Sequence, residues 1–137
     1  MIEEKKGAFK FVNFKVKNFT YNDINNKKGE ISLYFQPSGI YNKSNNRFTL
    51  ILLLKAIEKD SESVLIESKF EALFQLEEYS ENVLKFFYKN ALAIAFPYIR
   101  AFISTLTLQS NNGVLMLELM NLTHLEKPLV ENTVIED

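Results

Sequence analysis

The stretch ALAIAFPYIRAFISTLTL, residues 91–108, constrains this chain more than any other. It carries one charge, Arg100, shortly after Pro97. Helical spacing sorts its side chains into two stripes. Ile94, Tyr98, Ala101, Thr105 and Leu108 form one, and Ile99, Phe102, Ile103 and Leu106 form another on a different side. A membrane span needs about twenty apolar residues. Arg100 near the centre costs around 2.5–3.5 kcal/mol on insertion, and Pro97 removes a backbone donor. No membrane span is expected. A helix on the rim of an ordinary core keeps a polar face, and this one has none, so it must be covered on most sides. That predicts a helix-mediated contact between copies of the chain, through Phe96, Tyr98, Arg100, Phe102, Ile103 and Leu106. The other available cover is the C-terminal segment of the same chain.

The residues before this stretch read as strands. FKFVNFKVKNFTY alternates in three phases: Phe9 and Phe11, then Phe14 and Val16, then Phe19 and Tyr21. One buried face demands strict alternation, so slips near Val12–Asn13 and near Asn18 predict a bulged strand. EISLYFQ alternates cleanly, with PSGIYNKSNN read as a long turn after it. RFTLILLLKAIEK is apolar on both parities, as in a central strand. VLIESKFEALFQL again splits into an apolar and a charged face. Ser80 then offers an N-cap for ENVLKFFYKN, and Asn111–Gly113 a stop after the long helix. The fold class expected is α+β: a four-stranded antiparallel sheet followed by a short and a long helix packed on one face. Residues 1–126 form a single domain in this reading, and residues 127–137 a polar, flexible tail.

Chemistry is thin. The chain has 137 residues, no cysteine and one histidine, His124. A zinc site normally takes three or four ligands, so no metal is expected. The four glycines are scattered, which excludes phosphate-cradling and dinucleotide loops, and no G-x-S-x-G elbow occurs. No catalytic residue and no cofactor are expected, and the chain does not read as an enzyme. The N-terminus MIEEKKGAFKF has no apolar run beside its charges, so it does not read as a signal peptide and a cytoplasmic protein is expected. Residues 1–55 carry ten Lys/Arg against four Asp/Glu, and residues 56–137 six against thirteen. The basic residues of the first part are lysines apart from Arg47, whereas base readout enlists arginine. They read as a solvated face, with no nucleic acid expected as partner. What remains is apolar excess: twelve phenylalanines, six tyrosines, and the Met- and Leu-rich VLMLELMNL. Such surfaces suit binding of varied apolar partners.

The helix FPYIRAFIST resembles that of the SecB protein-export chaperones, whose pattern F-P-Y-x-R-x-x-I is matched by Phe96, Pro97, Tyr98, Arg100 and Ile103. KNFTYND is similar to the family's first-strand pattern through Lys17, Phe19, Thr20 and Tyr21. Leu65 and Glu67 match a fourth-strand L-x-E, and Asn121 and Leu125 an N-x-x-x-L. The likeness spans residues 9–126. It implies a homotetramer built as a dimer of dimers, with paired sheets forming eight strands. It also implies a hydrophobic groove for unfolded, export-bound polypeptides, and hand-off to the SecA motor through sheet residues at Asn18, Asn22, Leu65 and Glu67. Asn18 and Asn22 replace the acids of the family's first strand.

The function expected is an ATP-independent holdase. Its groove is assigned to Phe35, Ile40 and Tyr41 of the second strand and its turn, and to Leu115, Met116, Leu117, Leu119 and Met120 after the helix. The alternative is an adaptor of the same fold, or a toxin–antitoxin-associated chaperone, engaging one dedicated protein. Arg100 is expected to anchor an interface or a carbonyl network.

Overall fold

A computed structural model describes residues 7–23, 30–110, 115–118 and 120–137. Four strands follow one another: β1 (Phe9–Tyr21), β2 (Ile31–Asn42), β3 (Arg47–Glu58) and β4 (Val64–Leu76). A helix, α1, spans Glu81–Gln109. One 3₁₀ turn at Thr123–Leu125 leads into α2 (Glu126–Glu131) and a last strand, β5 (Thr133–Glu136). The sheet order is β1-β4-β3-β2-β5, antiparallel except where β5 lies parallel to β2.

Both phase slips of β1 are present. Its register against β4 shifts between Phe11 and Asn13 and again between Val16 and Asn18. Each shift returns the next aromatic or aliphatic side chain to the same side. Phe9, Phe11, Phe14, Val16, Phe19 and Tyr21 therefore all pack on the core. β3 buries Phe48, Leu50, Leu52, Leu54 and Ala56 on that face. Its opposite parity, including Ile51 and Leu53, lies on the outer sheet face, so β3 is central but covered on one side within the chain.

Helix α1 crosses the inner face on a run of rings. Phe87 contacts Phe9, Phe48 and Phe74, with centroids 5.1, 4.4 and 5.0 Å away. Tyr98 stacks on Phe11 at 4.8 Å, and Phe102 meets Phe19 and Phe70. Such pairs add roughly 0.5–1.5 kcal/mol each beyond the area they bury. Ser80 caps the helix, its hydroxyl accepting from the Val83 amide at 3.1 Å.

Three expectations are corrected. The short and long helices are one continuous 29-residue helix that runs through Pro97. Residues 37–42 extend β2, leaving only 43–46 as the turn. Pro37 is tolerated because donors of its parity, those of Gly39 and Lys43, point away from β3 to the outer edge. The segment expected as a flexible tail is folded. Leu129 is fully buried, α2 packs on β2 and α1, and β5 joins the sheet. The polar loop expected at residues 22–29 and the stop at Asn111–Gly113 fall largely or wholly outside the described residues.

Candidate functional site

The two stripes of α1 have different fates. Ile99 and Ile103 are buried on the sheet, with Phe102 and Leu106 partly so. The other stripe is more open: Ile94 is half-buried, Tyr98 stacks on Phe11 yet is 47% exposed, Leu108 is 61% exposed, and Ala101 and Thr105 are exposed. Of the residues assigned to a contact between copies, Phe96 and Ile103 are consumed by the chain's own core. By length and composition alone α1 would pass as a membrane span, yet its inner face is packed on the sheet.

One flank of α1 is covered by the segment after it, held by two hydrogen bonds. Thr107 Oγ1 accepts from the Leu115 amide at 2.9 Å while donating to the Ile103 carbonyl at 2.8 Å. Arg100 Nε donates to the Leu117 carbonyl at 2.7 Å. Leu115 and Leu117 thereby turn inward, and Met116 and Glu118 outward. A guanidinium suits this anchor, because it holds its charge when partly buried and donates in a fixed plane.

A trough lies between α1 and the residues from Met120 to Glu126. Leu92 and Phe96 form its floor, Ala93 and Pro97 its helix rim, and Met120 and Leu122 the facing wall, with Arg100 at one end. The lining Tyr88 and Glu126 also belong to a second hollow, which runs under α2 past Leu84 to Tyr79 and Val130. The two hollows adjoin at Tyr88 and Glu126 along α1. Lys89, Arg100, Asn121, Thr123 and Glu126 give the trough a polar, mixed-charge rim, and an apolar floor under polar rim groups suits an extended peptide. Burial, as the main cause, holds the Tyr88 hydroxyl above its usual pKa.

The residues assigned to the groove from sequence are not gathered in one place. Met120 lines the trough, and Phe35 supports its floor through a ring contact with Phe96 at 6.0 Å. Met116 is 67% exposed beside it. Leu117 is buried, and so is Tyr41, whose hydroxyl donates to Asn46 at 2.7 Å. Ile40 pairs with Thr49 on the opposite sheet face. Leu119 lies outside the described residues. Sequence reasoning missed Tyr88, Leu92 and Pro97. The signal was there: Tyr88, Leu92, Phe96 and Arg100 recur every four residues, a helical ladder with polar ends.

A second hollow lies on the outer sheet face, between Asn18, Tyr34, Leu53, Lys55, Glu67 and Lys69. It joins two of the four residues assigned to motor docking, Asn18 and Glu67. Asn22 sits at the strand end, its side chain donating to the Val64 carbonyl, and Leu65 is buried. Lys17 pairs with Glu71 at 3.8 Å across this face. His124 is exposed in the 3₁₀ turn.

No profile of a known protein family matches the sequence. The uncharacterized protein MJ0357 of Methanocaldococcus jannaschii is 33% identical over 93% of this chain and 91% of its own. Among solved structures, the Mycobacterium tuberculosis Rv1957 SecB-like chaperone, in complex with a ChAD peptide from the Rv1956 HigA1 antitoxin, superposes with a TM-score of 0.68. It is 17% identical, over 83% of this chain and 88% of that one. A protein of unknown function from Streptococcus agalactiae aligns at a TM-score of 0.41 and 13% identity, over 81% of this chain and 97% of that one. The resemblance read from FPYIR thus holds for the fold, which is SecB-like.

Proposed function

Because this chain belongs to one family with the uncharacterized M. jannaschii protein MJ0357 and has the SecB-like fold, we propose that it is a polypeptide-binding chaperone. It holds unfolded segments without ATP in the trough along α1. The observation that carries this reading is the trough itself, an apolar floor of Leu92 and Phe96 under a Met120 wall. Burying client side chains there gains about 25 cal/mol per Å² of apolar area.

The outward stripe of α1, with Tyr98, Ala101 and Leu108, supports assembly through helices into a dimer or tetramer. The outer edge of β1 has no strand partner among the described residues and offers a second contact, by which two sheets can join. In this reading the protein works in the cytoplasm, is not an enzyme, and needs no cofactor. Hand-off to SecA has less support, since Lys15, Lys17, Lys55 and Lys69 crowd the outer sheet face around Glu67 and Glu71.

A second reading has its own support. The mycobacterial neighbour is bound to an antitoxin peptide, so a chaperone of this fold can serve one dedicated protein. Aggregation assays on several unrelated unfolded proteins decide between the two. Comparable suppression of all of them supports the general holdase. Suppression of none overturns it and leaves the dedicated partner.

A further inference from the structure

The outer edge of β2 is held by a four-residue strand that leaves about half of its apolar side-chain surface exposed. β5 pairs with β2 only over Gly39–Asn42, and it is parallel where every other ladder is antiparallel. Its main chain is well engaged: Gly39 N donates to Asn132 O at 3.2 Å, and Lys43 N to Glu136 O at 2.8 Å. Its side chains are not. Val134 is 58% exposed and Ile135 45%. The strand is rooted at Thr133, whose hydroxyl donates to the Leu129 carbonyl at 2.6 Å. Gly39 makes room for it, since a Cβ there would collide with the Phe48 ring and come within 3.1 Å of Thr133 Oγ1. On the other side Pro37 offers no donor of the same parity, so the receptive edge begins at Gly39.

The trough leads to this edge. Tyr88 lines both hollows, and Tyr79, which lines the second, has its ring 5.3 Å from that of Tyr41 on β2 and 4.8 Å below Lys43 Nζ, beside the stretch that β5 engages. A polypeptide lying along α1 past Tyr88 to Tyr79 therefore arrives where β2 presents main-chain donors to a short strand whose apolar side chains stay about half exposed. Strand addition draws its affinity from those main-chain groups and is tolerant of side chains.

We propose that β5 is a built-in occupant of a strand-accepting edge, and that an extended apolar segment of a client replaces it on Gly39–Lys43. This rests on the trough reading of the preceding section. The chain then carries a two-part site: the trough for side chains, and the β2 edge for backbone. Closure of the edge by β5 lowers client affinity in proportion to the time it is docked, and protects the edge from self-association when no client is present.

Hydrogen exchange on the full chain tests the exchange of strands, with reduced and carboxymethylated α-lactalbumin as the unfolded client. At saturation, the amides of Thr133–Glu136 become fast while those of Gly39 and Lys43 stay slow. Val134→Pro, which frees β5, tightens client binding about tenfold as the open fraction approaches one. Client binding that leaves Thr133–Glu136 protected overturns the proposal and spares the trough. So does unchanged affinity in Val134→Pro. No client binding by either protein overturns both.

Discussion

Arg100 and Glu58 are the two charged residues whose work is set most clearly by their surroundings. Arg100 ties the middle of α1 to the Leu117 carbonyl, as its placement in an apolar stretch suggested. A hydrogen bond from a charged donor contributes about 1.5–3 kcal/mol. Arg100→Ala is expected to lose that amount in urea unfolding and to loosen the trough wall. Arg100→Lys recovers part of it, because an ammonium lacks the planar fork. Glu58 closes the turn after β3, accepting from the Ser61 hydroxyl, the Ser61 amide at 2.8 Å and the Asp60 amide at 3.3 Å. The Ser61 bonds, led by its hydroxyl, hold the carboxyl below its ordinary pKa of 4.5 against the opposing effect of burial. Its stabilisation is thus complete above about pH 4.5 and is lost as pH falls through the lower folded value. Glu58→Gln is expected to unfold more readily at neutral pH and to show a flatter acid limb, read by urea midpoints across pH. The acceptor of Arg100 could not be read from sequence, because tertiary placement brings the Leu117 carbonyl to it, whereas the partners of Glu58 lie two and three residues away in its own charged turn.

At the scale of elements, periodicity was informative wherever a run was long. The three phases of β1 located both bulges, since a single buried face tolerates no slip without an extra residue. The two stripes of α1 anticipated a helix with more apolar surface than one sheet can cover. Periodicity failed where punctuation misled. Pro37-Ser38-Gly39 has the composition of a turn, yet it sits in an edge strand, where a lost donor costs nothing to the inner ladder. β5 is four residues long, too short to show alternation. The face of Ile40 depended on where β2 ends, so it was grouped with Phe35 although it lies on the opposite sheet face. Tyr41 shares the inner face of Phe35 and is buried there. Removing the Ser80 hydroxyl isolates one element: Ser80→Ala is expected to cost about 1 kcal/mol through the lost Val83 cap. Thermal or urea unfolding reads it.

For the whole molecule, the covering segment at Leu115–Leu117 supplies only one flank of α1, and the exposed stripe is the face proposed for a second copy. Light scattering on the intact chain is expected to give a multiple of the monomer mass. Ala101→Glu, at an exposed site on the stripe, is expected to leave the circular dichroism unchanged while shifting the mass toward the monomer. A monomer at micromolar concentration for the unaltered chain would remove the assembly from the account. The fold was legible at this scale because strands preceded helices and FPYIR carried a specific pattern. The trough was not, because its wall at Met120 and Leu122 is brought to α1 by tertiary placement, which no local signal marks.

The affinity of the trough for unfolded polypeptide is the central claim. Equilibrium binding of a labelled, permanently unfolded client to the chain and to Pro97→Glu and Met120→Glu measures it directly. Both positions line the trough, and a charge there must be desolvated by any apolar client. The account predicts that each substitution weakens binding at least about tenfold, corresponding to about 1.4 kcal/mol, with folding intact. Equal affinities for all three proteins would contradict it.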